Sequence, residues 1–135
     1  MEWVKEEYIV SDDKSMIDLN AVYSLISTSD LASNRTRDSI AKSVINSLSF
    51  GVYHHGVQIG FARVVTDKTV FSWVSDVVVE KTYCDNDLDQ WLMECILDHP
   101  DIKNTEFVLA TTDARISYRK PDFEDNKSMT NTVTN

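Results

Sequence analysis

Glycine is scarce. The chain has 135 residues and three glycines, Gly51, Gly56 and Gly60, where an average usage of roughly 7% would give about nine. None of the three lies in a strand-to-helix turn, so they can hardly supply a glycine-rich phosphate loop. Cysteine is scarcer still, with Cys84 and Cys95 the two present. That pair is no disulfide framework, and without a Cys-x-x-Cys it gives no zinc spacing. Positive charge is in deficit, 13 Lys+Arg against 22 Asp+Glu, for a formal net charge of −9 and a pI near 4.6. No basic stripe offers phosphate contacts, so no nucleic-acid partner is expected. Long apolar runs are missing too. Nothing approaches the roughly 20 residues of a membrane helix, and Met1–Tyr8 lacks a cationic stretch followed by an apolar one. The expectation is a cytoplasmic protein with no membrane partner.

What is present reads as one α+β domain over residues 1–135, with a polar tail from about residue 124. Tyr8–Val10 is a short strand. Asp18 is placed to cap a helix carrying Leu19, Val22, Leu25 and Ile26 at helical spacing. After a polar break over 27–35, Thr36 is placed to cap a second helix, with Ile40, Val44, Ile45 and Leu48 as its apolar stripe. Phe50–Tyr53, His54-His55-Gly56 and Val57–Val65 read as a hairpin whose turn takes its positive φ from Gly56. Val70–Val79 is a third strand, and its Val77-Val78-Val79 run predicts cover on both faces. Asp87–His99 is the clearest helix, with Leu88, Trp91, Leu92, Cys95 and Ile96 on one face and Pro100 as its stop. Phe107–Thr111 is a further strand, and Asp113–Lys120 a short helix ended by Pro121.

Four strings carry a family resemblance: GVYHHGVQIGFARVVTD, FSWVSDVVVEKTY, WLMECILDHP and FVLATTDARISYRKPDF. In that order they resemble the central hairpin, the cofactor strand, the helix after it and the closing Y-x-K-x-G-F segment of the GNAT superfamily of N-acetyltransferases. The resemblance covers about half the chain, and the N-terminal helices agree with it in order. It implies a mixed, mostly antiparallel sheet splayed at its middle strands and flanked by helices. It also implies acetyl-CoA as co-substrate, with pantetheine along Val77, Val78 and Val79. The pyrophosphate would sit on the following helix N-terminus, where unpaired N–H groups and the helix dipole favour an anion. By the same resemblance Tyr118 protonates the leaving thiolate, and Asp76, directly or through water, is the base for the amine.

The cofactor loop departs from the family pattern. Where relatives read R-G-x-G-x-G, this chain reads Cys84-Asp85-Asn86-Asp87-Leu88-Asp89. The arginine becomes Cys84 and three glycines become Asp85, Asp87 and Asp89. In the closing segment Asp122 replaces another glycine. A carboxylate about 5 Å from a phosphate oxygen repels it by roughly 3 kcal/mol at an effective dielectric near 20, less where water screens it. Micromolar affinity is only about 8 kcal/mol in total. The loop is therefore expected to hold acetyl-CoA weakly or not at all.

Plainer roles compete for the same residues. Asp85 or Asn86 can cap the helix, and the acids suit its first turn. As a calcium loop, Asp85-x-Asp87-x-Asp89 lacks the sixth-position glycine (Gln90) and the twelfth-position glutamate (Ile96). Tyr118 can simply pack a C-terminal strand, and Asp76 can be a hydrogen-bonded acid in a strand bulge. Ser75 and Asp76 cannot share a face without such a bulge. Adjacent side chains diverge along a strand, so His54 and His55 are expected to be solvated turn residues, and no metal site is expected. Trp73, Trp91 and Cys95 read as core, and Arg35 and Arg37 as solvated residues between the first two helices. Two functions stay open. One is acetyl transfer from acyl-CoA to a primary amine on a small molecule or peptide. The other is a catalytically inactive GNAT-fold protein, a pseudoenzyme kept as a binding or interaction module. Either is compatible with a homodimer.

Overall fold

His55 and Gly56 both take left-handed backbone, φ 51° and 81°, the pair of conformations that a two-residue type I′ turn requires. That turn closes the expected hairpin and sets the register of the sheet around it. The computed structural model describes residues 1–28 and 35–109, with 84–86 by their backbone alone. Along them run β1 (Glu2–Lys5), β2 (Tyr8–Ser11), α1 (Leu19–Ser27), α2 (Arg37–Ile45), β3 (Leu48–His54), β4 (Val57–Thr66), β5 (Phe71–Val79), α3 (Leu88–Asp98) and β6 (Glu106–Leu109).

These strands form one sheet in the order β1-β2-β3-β4-β5-β6. Neighbours are antiparallel except β5 and β6, which run parallel through Phe71–Val74 and Glu106–Leu109. The sheet is mixed and mostly antiparallel, as expected for an α+β domain. A parallel neighbour needs a crossover, and α3 supplies it. The sequence reading missed β1, whose four residues include no buried side chain.

Both capping expectations in the N-terminal half are met. Asp18 accepts from the Asn20 and Ala21 amides, and Thr36 Oγ1 accepts from Ser39 N. The α2 stripe is narrower than expected. Ile40 and Val44 are buried, but Ile45 is 66% exposed and Leu48 already belongs to β3. On α3, Met93 is fully buried, whereas Trp91 is only partly so.

Apolar layers cover both faces. One side packs Phe50, Val52, Ile59, Val64, Val74, Val77 and Val79 against Leu88, Leu92, Cys95 and Ile96 of α3. Burial lifts the Cys95 thiol to about 12, so it is an inert core group. On the other side Phe61 packs with Val22, Leu25, Ile26, Ile40 and Val44 of α1 and α2, and Val78 lies against them. The valine run is thus covered on both faces, as its composition predicts. Among the described residues, no helix is long and apolar enough to cross a membrane.

Candidate active site

A kink in β5 organises the site. Phe61 pairs with Val78 and Arg63 with Ser75, so Ala62 alone stands opposite both Asp76 and Val77. Asp76 absorbs the extra residue with φ 56°, a β-bulge. Ser75 Oγ and Asp76 Oδ1 consequently lie 3.5 Å apart, which a regular strand would not allow. Among the described residues, the parallel ladder with β6 covers Phe71–Val74, the half of β5 before the bulge. Thr111, at the end of the expected last strand, lies outside the described residues.

Asp76 is buried, 5% exposed, and gripped by two guanidiniums. Arg35 binds it in a fork at 2.8 and 3.1 Å, and Arg63 Nε reaches Oδ2 at 2.9 Å. Burial opposes ionisation, but the hydrogen bonds from Arg35 and Arg63 outweigh it and hold the carboxyl below its ordinary value. Arg35 was expected to be solvated, and this buried pairing corrects that reading. A carboxylate inside a β-branched strand needs a cation, and the neighbouring strand offers Arg63, so the sequence carried a usable signal. Arg37 instead lies over the Tyr23 ring at 4.2 Å and donates to Asn20 Oδ1.

Beyond the bulge, Val78 and Val79 pair with Phe61 and Gly60 of β4, and Glu80 N donates to Ile59 O. The chain then makes a 3-10 turn over Lys81–Asn86 and enters α3 at Leu88, which is buried. Cys84, Asp85 and Asn86 therefore lead directly to that helix N-terminus. Asp87 occupies the capping position, but it does so in left-handed backbone, φ 56°, with no side-chain cap bond. The capping position thus falls on Asp87 and not on Asp85 or Asn86, where the sequence reading placed it. Asp89 lies in the first turn, with Oδ1 accepting from Gln90 N. Tyr118 and Asp122 lie outside the described residues.

Tyr83, just before the loop, touches the tip of the β3–β4 hairpin, where its hydroxyl is 2.9 Å from His54 Nδ1. His54 and His55 do not diverge as expected. Their ring centroids are 4.1 Å apart, because His55 has left the strand for left-handed turn backbone. Glu7, from the β1–β2 turn, faces both rings.

No family model matches the sequence, and no curated protein matches it either. Solved structures do. A Xanthomonas campestris pv. campestris protein described as belonging to the GNAT family is 28% identical, with a TM-score of 0.75 over 91% of this chain and 92% of that one. The chain belongs to the GNAT superfamily. The same fold occurs in a GNAT family acetyltransferase from Elizabethkingia anophelis with acetyl-CoA bound, at 11% identity, TM-score 0.61, and 79% and 67% of the two chains. It occurs again in the ribosomal-protein-S18-alanine N-acetyltransferase of Escherichia coli, at 20% identity, TM-score 0.63, and 89% and 76%. Within this GNAT frame, the bulged β5, the turn over Lys81–Asn86 and the start of α3 are the elements to which the sequence resemblance assigned the cofactor.

Proposed function

We propose that the protein is an acyl-CoA-dependent N-acetyltransferase with a severely weakened grip on its cofactor. The observation carrying this reading is the backbone at Asp87. Left-handed φ at the entry to α3 is the conformation that a loop glycine adopts freely, and here it persists under an aspartate. This supports a loop position built for glycine, now held by an acid, with Asp89 adding a second carboxylate in the first turn of α3.

In the proposed reaction, the amine nitrogen attacks the acyl carbonyl carbon and the carbon–sulfur bond breaks. Pantetheine would run along Val77–Val79, whose backbone polarises the carbonyl, and Tyr118 would return a proton to the thiolate. The pairing of Asp76 with Arg35 and Arg63 makes it a weak base. The amine proton therefore leaves through water, and Asp76 acts chiefly by fixing the two arginines. A cationic primary amine, on a small molecule or a peptide, suits the acidic chain best.

The same ion pairs favour a second reading, an inactive GNAT-fold binding module, since the carboxylate assigned as base is already committed. Calorimetric titration with acetyl-CoA separates the two. The variant combining Cys84→Arg, Asp85→Gly, Asp87→Gly and Asp89→Gly should bind at least roughly a hundredfold tighter than the parent, about 2.7 kcal/mol, and lose affinity with salt. Low-micromolar binding by the parent would refute the electrostatic reading. Silence from both proteins would refute the assignment of the loop to pyrophosphate and leave the binding module.

A further inference from the structure

We infer that Glu7, His54 and His55 form a binding site for a divalent transition-metal ion, zinc being the best fit, at the joined tips of two hairpins. Pairing of β2 with β3 sets Tyr8 opposite His54, which brings the β1–β2 turn beside the β3–β4 turn. Glu7 then extends one carboxylate oxygen to each imidazole. Oε1 is 3.3 Å from His54 Nε2, and Oε2 is 3.1 Å from His55 Nε2. One ligand atom from each of the three residues falls within a 4.8 Å cluster. Tetrahedral zinc with bonds of about 2.0–2.1 Å holds its ligand atoms about 3.3 Å apart. The two histidine–carboxylate separations already match that spacing.

A second observation points the same way. His54 Nε2 is buried and finds no hydrogen-bond partner among the described residues, despite its closeness to Glu7. A buried ring nitrogen without a partner is costly, and a metal ion would satisfy it. The other nitrogen is already provided for. Nδ1 lies 2.9 Å from the Tyr83 hydroxyl, so Nδ1–H can donate there and leave the Nε2 lone pair facing Glu7. Such outer hydrogen bonds orient metal-binding histidines. The Tyr8 ring stacks on His54 at 4.7 Å and fixes its plane.

Two imidazoles and a carboxylate select a borderline ion such as zinc over calcium or magnesium, which prefer oxygen. Three protein ligands leave the fourth position to water. Glu7 and His55 are 50% and 69% exposed, so an ion can enter without the fold opening. Once bound, it pins the two hairpin tips together and, through Tyr83, ties them to the segment entering α3.

The test is calorimetric titration of the chelator-stripped full chain with zinc chloride, and with calcium chloride in parallel. The expected result is one zinc per chain, no calcium, and a zinc-induced rise in melting temperature. Glu7→Gln and His55→Gln, both at exposed positions, should each weaken zinc by at least tenfold while melting like the zinc-free parent. Tyr83→Phe should keep the stoichiometry and weaken affinity by about tenfold or more. His54→Gln should abolish the site, and if it fails to fold the two exposed variants decide. No saturable zinc binding, or equal binding by Glu7→Gln and His55→Gln, would overturn the proposal.

Discussion

Arg63 and Asp76 stand on adjacent strands, Nε to Oδ2 at 2.9 Å, across the one place where β4 and β5 fall out of register. The bulge and the ion pair depend on each other. Asp76 reaches the arginines because its backbone is left-handed, and the two guanidiniums stabilise a carboxylate that burial alone would neutralise.

Asp76→Asn should therefore destabilise the fold by about 3 kcal/mol, because both guanidiniums lose their counter-charge. A melting temperature lower by about 10 °C is the expected reading. The pH dependence has a fixed sign. The folded carboxyl sits below its ordinary 3.8, so this stability is present above that value and lost as pH falls through the lower folded one. Parent and variant should converge in acid. A parent that melts no higher than the variant at pH 7 would show that the pairing adds nothing.

Asp18 and Asp87 both stand before a helix, and they should respond oppositely to substitution. Asp18 accepts two backbone amides, so Asp18→Ala should cost about 1 kcal/mol. Asp87 accepts none and has φ 56°, so Asp87→Gly should be neutral or stabilise by up to about 1 kcal/mol by relieving left-handed backbone. Urea denaturation of both variants checks this. A loss of 1 kcal/mol or more at Asp87 would restore its capping role.

The same contrast marks what could be read from the sequence. Periodicity and cap chemistry are local, so α1, α2, α3, the central hairpin and the covered valine run were legible, as was the family through the strings around them. Outside glycine, residue type encodes backbone sign only weakly, through the tolerance of asparagine, aspartate and histidine for positive φ. His55, Asp76 and Asp87 all take positive φ; the sequence reading allowed for a bulge and a hydrogen-bonded acid at Asp76 but fell short at His55 and Asp87. His55 brings two histidines together that a strand would separate. Asp76 turns toward arginines on another strand and an N-terminal segment. Asp87 takes the position before α3 that was assigned to Asp85 or Asn86, and makes no cap bond. Arg35 was misread for a related reason, since its partner lies 41 positions away.

Gly60→Ala should test the packing behind the proposed cofactor strand. A Cβ there would come within 2.9 Å of Val52 Cγ2 and 3.2 Å of the Val78 carbonyl oxygen. The valine is fully buried and the carbonyl is backbone, so neither yields easily. The expected cost is about 1–3 kcal/mol, read from thermal melts. A variant as stable as the parent would mean that β4 and β5 can move apart at Val78–Val79.

Asp12 and His99 join the end of β2 to the end of α3, Oδ2 to Nε2 at 2.6 Å, with the histidine buried. The Asp101 amide donates to Nδ1, so the neutral ring carries its proton on Nε2 and donates it to Asp12. Asp12→Ala leaves that donor buried without its partner and should cost about 2 kcal/mol. Asp12→Asn keeps an acceptor and should cost less. Burial pushes the Asp12 carboxyl upward, but hydrogen bonds from the Met1 ammonium and His99 prevail and lower it. Its contribution is thus present above pH 3.8 and declines as pH falls through the folded value. Trp3 lies 5.9 Å from the His99 ring and 6.0 Å from Phe50, so its fluorescence reports on this corner. Expected are an earlier urea transition for Asp12→Ala than for Asp12→Asn at pH 7, and a gap to the parent that narrows in acid. Equal transitions for the two variants would assign the effect to charge alone and remove the hydrogen bond from the account.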